Sequence, residues 1–295
     1  MTGTDVDPTP DRPESDDESR NQLTDDDALT VESALVGDDL EIGYPTSEKP
    51  VVECSRIDIP AGEVTALVGP NGSGKSTLLK SLSNHLQPET GTIRLDGDAL
   101  QSFDRKTLAR ELGVLLQETD SLGTITVEDL AYHGRYPHRG FFDSITREDR
   151  RAVDRALELT GIEHLRDAEL GQLSGGQKQL AWIAMVFAQE TDVLLLDEPT
   201  TFLDVYHQFR VLETIRERNA REGVTVAVVL HDISQAARFA DYLIAMRDGV
   251  LYDWGPPDEV VTEQLLADVF NVEATVQYEP ELQVLPKRAL PDDSR

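Results

Sequence analysis

One short segment constrains this chain more than any other. Gly69-Pro-Asn-Gly-Ser-Gly-Lys-Ser-Thr77 fits the pattern G-x-x-x-x-G-K-[ST]. It lies between an apolar run, Val64–Val68, and a helical pattern from Lys75 to His85. Strand, Gly-rich turn and helix in that order build a phosphate cradle. Gly72 and Gly74 let backbone N–H groups turn inward, and the helix N-terminus adds partial positive charge. Lys75 can reach β- and γ-phosphates, and the Ser76 hydroxyl can ligate Mg²⁺. The segment predicts a nucleotide site.

The rest of the chain agrees with an α/β class. Val31–Ile42 and Val51–Ile59 read as antiparallel strands flanking a turn at Pro45. Thr92–Leu95, Gly113–Leu116, Val193–Asp197 and Thr225–Leu230 read as further strands. Between Gln117 and Thr191 the texture changes to helices only, at Val127–Gly134, Arg147–Leu159 and Ser174–Gln189. A helix over Val205–Arg221 separates the last two buried strands. Beyond Asp241 come strands Leu243–Met246 and Val250–Trp254, helices near Pro257–Phe270, and a weak strand pair around Ala274–Val284. No repeat of 20–50 residues is present. The reading is a mixed-sheet core with an antiparallel β subdomain and an inserted helical subdomain at about 118–190.

A second acidic site follows from Val193-Leu-Leu-Leu-Asp-Glu-Pro199, a buried strand ending in two carboxylates. Asp197 is placed to hold Mg²⁺ and Glu198 to polarise an attacking water. His231 follows the next strand at its carboxyl end, the edge where open α/β sheets bind ligands.

Charge narrows the partners. The chain carries 56 acidic and 27 basic residues, a net charge of −29. Residues 1–27 hold ten acids and two Arg and read as a disordered acidic arm, which leaves −21 on the remainder. Nucleic-acid binding through a broad basic surface is excluded. Such a body repels itself at low ionic strength, and molar salt shortens the Debye length to about 3 Å. A salt-rich cytoplasm explains that composition. The longest apolar run, Leu180–Ala188, is far short of the roughly 20 residues that span a bilayer. No leader pattern opens the chain, and the single cysteine, Cys54, fits a reducing compartment. The expectation is a soluble intracellular protein.

Leu173-Ser-Gly-Gly-Gln177 adds the motif that names a family. The chain resembles the ATP-binding subunits of ABC transporters over roughly residues 30–285, with the phosphate loop, Gln117, Leu173–Gln177, Leu194–Glu198 and His231 in the family's order. That resemblance implies domain limits of 28–285, with 286–295 as a C-terminal tail. It implies an ATPase using ATP and Mg²⁺, with Glu198, His231, Gln117 and Lys75 catalytic. ATP would be held by Tyr44, Gly69, Pro70, Asn71, Gly72, Ser73, Gly74, Lys75, Ser76 and Thr77, with Mg²⁺ on Ser76, Gln117 and Asp197. Two copies would pack head-to-tail, so that Ser174, Gly175, Gly176 and Gln177 meet the partner's ATP. Asp204 would lie in the D-loop, where Phe202 replaces a common small residue.

Local wording such as Phe202-Leu-Asp-Val-Tyr-His-Gln208 is closest to importers of ferric siderophores. The implied function is energising import of an iron chelate, with cobalamin or haem as alternative cargo and a ribosome- or DNA-directed soluble ABC ATPase as the other class. The implied location is the cytoplasmic face of the membrane, bound to permease subunits and indirectly to a substrate-binding protein. Within Glu118–Phe142, the residues Tyr132, Arg135, Tyr136, Arg139, Phe141 and Phe142 are expected to form the permease-docking surface.

Overall fold

A computed structural model describes residues 32–47, 49–117, 124–140 and 143–291. The acidic arm lies outside the described residues, as do Phe141 and Phe142 of the expected docking surface. Strands β1 (Ser33–Ile42), β2 (Val52–Pro60), β3 (Val64–Val68), β4 (Thr90–Leu95), β5 (Asp98–Ala99) and β6 (Leu112–Leu115) come first. β7 (Val193–Asp197), β8 (Thr225–Val229), β9 (Tyr242–Arg247), β10 (Val250–Gly255), β11 (Val272–Gln277) and β12 (Gln283–Ala289) follow. The helices are α1 (Lys75–Leu82), α2 (Arg105–Glu111), α3 (Val127–His133), α4 (Arg147–Thr160), α5 (Gly175–Gln189), α6 (Val205–Glu222), α7 (Ile233–Phe239), α8 (Pro257–Val260) and α9 (Glu263–Phe270).

The central sheet has the order β10-β9-β3-β8-β7-β6 and is parallel except at β10. A separate antiparallel sheet, β2-β1-β4-β5, covers one side of it, and β11 and β12 form a hairpin. Strands β3, β7 and β8 of the central sheet are buried on both faces, which explains their apolar runs. Val64, Ala66 and Val68 of β3 join one core with Leu194, Leu196, Val226 and Val228 and the helices α3 to α5. Leu67, Leu195, Ala227 and Val229 point the other way, into the core shared with α1 and the antiparallel sheet.

Helices α1 and α2 and the C-terminal tail differ from the sequence reading, as do β5 and α7, neither of which was foreseen. Helix α1 stops at Leu82, because Asn84 turns left-handed (φ +60°) and breaks the pattern drawn to His85. Helix α2 was not foreseen; its seven residues bury only Leu108, and Asp104 caps it by accepting from the N–H groups of Lys106 and Thr107. The tail drawn from residue 286 starts too early, since β12 stays paired with β11 as far as Ala289. Among the described residues between 117 and 191 there is no strand, only an isolated bridge from Thr126 to Glu169.

Candidate active site

The turn after β3 can be traced only by glycine at critical points. Gly69 has φ +147°, and a Cβ there would lie 2.2 Å from the Met246 carbonyl oxygen. Gly74 has φ +98°, and its Cβ would meet Val52 at 2.6 Å. Helix α1 therefore begins at Lys75 with its N-terminus open to a cleft. The buried Lys75 ammonium donates to the carbonyls of Gly69 and Pro70, both at 2.8 Å, and to Ser73 Oγ at 3.3 Å. Burial lowers its pKa, against the opposing pull of Glu198 and Asp197.

Strand β7 delivers the two carboxylates. Asp197 is buried; Ser76 Oγ donates to its Oδ1 at 3.0 Å, while its Oδ2 has no hydrogen-bond partner among the described residues. Burial raises the Asp197 pKa, although the Ser76 bond works in the other direction. Glu198 turns left-handed at φ +51° and is only 8% exposed. Its Oε1 lies 2.7 Å from His231 Nε2, and its Oε2 accepts from Gln117 Nε2 at 3.0 Å and Thr201 Oγ1 at 3.1 Å. The carboxylate is thus gripped by groups from three separate segments.

Asn71, Gly72, Gly74, Lys75, Ser76, Thr77, Gln117, Glu198 and His231 line one cleft of about 320 Å³. Tyr44 reaches it through Thr77, with its hydroxyl 3.4 Å from Thr77 Oγ1. Sequence reasoning missed Thr201, three residues after Glu198. It also missed Gln179, whose amide donates to the Pro199 and Glu198 carbonyls at 3.2 and 3.4 Å and ties α5 to the end of β7. Neither residue carries a sequence signal beyond its nearness to a motif.

Ser174, Gly175, Gly176, Gln177 and Asp204 line a second, larger cleft of about 630 Å³, which shares no lining residue with the first. Ser174 caps α5: its Oγ accepts from the Gln177 N–H at 3.3 Å, and Gln177 Oε1 accepts from the Ser174 N–H at 3.0 Å. The Gln177 side chain is engaged in that capping box. Asp204 caps α6 and accepts from both His207 N (2.9 Å) and His207 Nδ1 (2.8 Å), bonds that hold its pKa low.

Arg135 does not serve as a docking anchor. It is 3% exposed, and its guanidinium donates to Asp149 Oδ1 at 3.1 Å, Glu190 Oε2 at 2.9 Å and the Ala188 carbonyl at 2.9 Å. It joins α3, α4 and α5 from within. Tyr136, by contrast, is exposed beside Lys106 and Arg139.

A phosphate loop, a buried carboxylate pair and a second helix N-terminus in one chain bear on the comparison with known proteins. Residues 53–201 match the family model described as ABC transporter. The ferric enterobactin transport ATP-binding protein of Escherichia coli is 46% identical over 246 residues, covering 83% of this chain and 90% of that protein. The chain belongs to the ABC transporter family. As an ABC ATPase it hydrolyses ATP in the service of transport. The fold extends to solved cassettes. The chain of a metal-chelate type ABC transporter in an inward-facing conformation superposes with a TM-score of 0.73 at 27% identity, covering 87% of this chain and 98% of that one. A bacterial ABC transporter cassette solved as a dimer gives 0.69 at 25% identity, covering 76% and 98%. No helix among the described residues of this cassette is long and apolar enough to cross a membrane.

Proposed function

We propose that this cassette is the ATP-hydrolysing subunit of an importer for a ferric chelate of the siderophore type. The reading rests on the grip on Glu198, in a chain similar to a ferric enterobactin transport protein and to a metal-chelate transporter. Glu198, held on both oxygens and nearly out of water, orients a water toward the γ-phosphate and takes up its proton. His231 donates to Glu198 Oε1 and fixes its position, while Lys75 leaves its loop carbonyls to meet the phosphates.

The donor set fits Mg²⁺. Asp197 Oδ2 is a buried oxygen without a partner among the described residues, and hard oxygen ligands are what that ion takes. Ser76, Asp197 and the amide oxygen of Gln117 would hold it. It would supply neutralisation of negative charge on the phosphate oxygens.

Two copies pair head-to-tail, each offering the Ser174–Gln177 cap to ATP on the other. The separate clefts support this, because none of the described residues lines both. Each copy docks on a permease at the cytoplasmic face, through the surface around Tyr136 and Arg139. A substrate-binding protein delivers cargo from the far side. The net charge of −29 suits a salt-rich cytoplasm.

Glu198→Gln tests the reaction. ATP binding should persist while hydrolysis falls by about 10²–10⁴-fold, the usual cost of losing a positioned base. Wild-type turnover in this variant would refute the assignment. Uptake of labelled ferric siderophore, haem and cobalamin in cells deleted for the gene tests the cargo. Loss of haem or cobalamin uptake alone would replace the siderophore reading.

A further inference from the structure

Two hairpins of this chain turn through the same pair of residue types. Asp96-Gly97 joins β4 to β5, and Asp248-Gly249 joins β9 to β10. Each is a two-residue loop, closed by Leu95 opposite Asp98 in one and by Arg247 opposite Val250 in the other. The backbones match. Asp96 and Asp248 have φ of +49° and +50°, and Gly97 and Gly249 have +86° and +85°, the left-handed pair that a tight hairpin takes. The surroundings do not match. A Cβ on Gly97 would meet nothing within 4 Å among the described residues, so that glycine answers to its turn alone. A Cβ on Gly249 would lie 2.3 Å from the Val51 carbonyl oxygen.

Gly249 is crowded because its turn is pressed against the phosphate loop. Its N–H donates to the Ser73 carbonyl at 3.2 Å, and its own carbonyl accepts from the Glu53 N–H at 2.9 Å. Two loop glycines face the same hairpin: a Cβ on Gly69 would stand 2.2 Å from the Met246 carbonyl oxygen, and one on Gly74 would stand 3.6 Å from Gly249 Cα. Ser73 is the middle link. It is buried, its hydroxyl accepts from the Lys75 ammonium at 3.3 Å, and its carbonyl takes the Gly249 N–H. Val51 itself lines the phosphate cleft. The hairpin is also tied to α9, where Arg247 donates to the Asp268 carbonyl and the Tyr252 hydroxyl donates to Asp268 Oδ2 at 2.5 Å.

We infer that Gly249 is a positioning residue for nucleotide binding, and that the β9–β10 turn is the backstop that keeps the phosphate loop in its binding shape. The inference rests on the reading of that loop as the ATP cradle. An added methyl at Gly249 cannot be absorbed by Val51. Its crowding atom is a backbone oxygen, and the Val51 N–H is already bonded to the Ile42 carbonyl at 2.7 Å. The turn must therefore retreat, and its N–H leaves the Ser73 carbonyl. Ser73 then no longer holds the loop beneath Lys75. The supports of Glu198, which are Gln117, His231 and Thr201, lie outside the hairpin and keep their bonds. Binding weakens while the chemical step does not.

The test compares Gly249→Ala with Gly97→Ala in full-length protein at fixed high salt. The two variants put the same methyl on the same backbone and differ in what it meets. Gly249→Ala should raise the dissociation constant of a fluorescent ATP analogue and the KM for ATP about tenfold, with kcat at saturating ATP within about twofold, the pattern of lost uniform binding. Gly97→Ala should leave these constants unchanged. A role in folding alone would lower the melting temperature of Gly249→Ala without moving the KM, and that result would overturn the inference. Equal shifts in the two variants would overturn it too, as the effect of backbone strain. If Gly249→Ala does not stay folded, hydrogen exchange of the wild type decides: ADP with Mg²⁺ should slow exchange at residues 247–250 and not at 96–98. The same response in both turns would count against the backstop. If Lys75→Ala binds the analogue as well as wild type, the cradle reading falls and the backstop with it. If Lys75→Ala loses binding and Gly249→Ala keeps it, the backstop alone is overturned.

Discussion

Arg135→Met removes a buried cation while keeping most of its volume. Three interactions go at once, to Asp149 Oδ1, Glu190 Oε2 and the Ala188 carbonyl. The losses are unequal. Glu190 is one-third exposed and still pairs with Arg155, so water replaces Arg135 there at small cost. Asp149 is buried; its Oδ2 keeps the Thr146 N–H and hydroxyl, but Oδ1 loses its Arg135 donor. The Ala188 carbonyl likewise loses its Arg135 donor. Two buried acceptors deprived at about 1–3 kcal/mol each give a total of about 2–6 kcal/mol, which brackets the roughly 3–5 kcal/mol measured for breaking buried pairs. Against the usual 5–15 kcal/mol of a folded domain, that is a large fraction. Urea titration at fixed high salt should show it as a lower midpoint, and thermal melting as a drop of about 10 °C.

The pH dependence has a definite sign. Burial disfavours the Asp149 charge, yet the Thr146 bonds and the Arg135 guanidinium outweigh it and hold its pKa below the usual range. A depressed carboxylate stabilises the fold fully above the unfolded value near 3.9, and that stability is lost as pH falls through the folded value. The gap between wild type and Arg135→Met should therefore narrow on strong acidification. A loss under about 1 kcal/mol near neutral pH would show that the three helices do not depend on this cluster.

Gly176→Ala should impair ATPase activity at limiting protein concentration, because its Cβ would sit 2.9 Å from the Phe202 carbonyl and push the cap and the turn apart; unchanged turnover would refute that crowding. Lys75→Ala should abolish ATP-analogue binding by the monomer while Ser174→Arg preserves it, and equal losses in the two would refute separate cis and trans sites. The Cys54 thiol, pushed up to about 12 chiefly by burial, should resist iodoacetamide at pH 8 until urea unfolds the chain; rapid labelling of native protein would contradict its burial. Activity and melting temperature should rise together from low to molar salt, and an optimum at low ionic strength would remove the salt-adapted reading.

The phosphate loop and the end of β7 were legible because their chemistry is local: each is set by neighbours within about ten residues. Strands β3, β7 and β8 were legible because burial on both faces leaves apolar runs. Helix α2 was hidden, since a seven-residue helix burying only Leu108 has no apolar stripe to read. Arg135 was misread for a different reason. Its partners Asp149 and Glu190 lie 14 and 55 residues away, and an Arg among aromatics looks the same in sequence whether it faces water or a carboxylate. The grip on Glu198 was not foreseen: Gln117 and His231 stood out singly, through the resemblance to a family and a strand-end position, but not as its partners, and Thr201 emerged only when the turn was folded. The strand-end position of Glu198 was predictable; its left-handed backbone was not.

The alternation along β7 has a consequence for how firmly the catalytic carboxylates are located. Val193 and Leu195 belong to one core and Leu194 and Leu196 to the other, so sliding this strand by a single residue against β6 or β8 would present each core with the other's side chains. In a sheet with one wet face, such a slip is opposed once. Here it is opposed twice, by two interiors that cannot both be satisfied in any other alignment. Asp197 and Glu198 are the next two positions along the same strand path, so their alignment is fixed by apolar packing on either side of them, before any polar group in the cleft makes its bond.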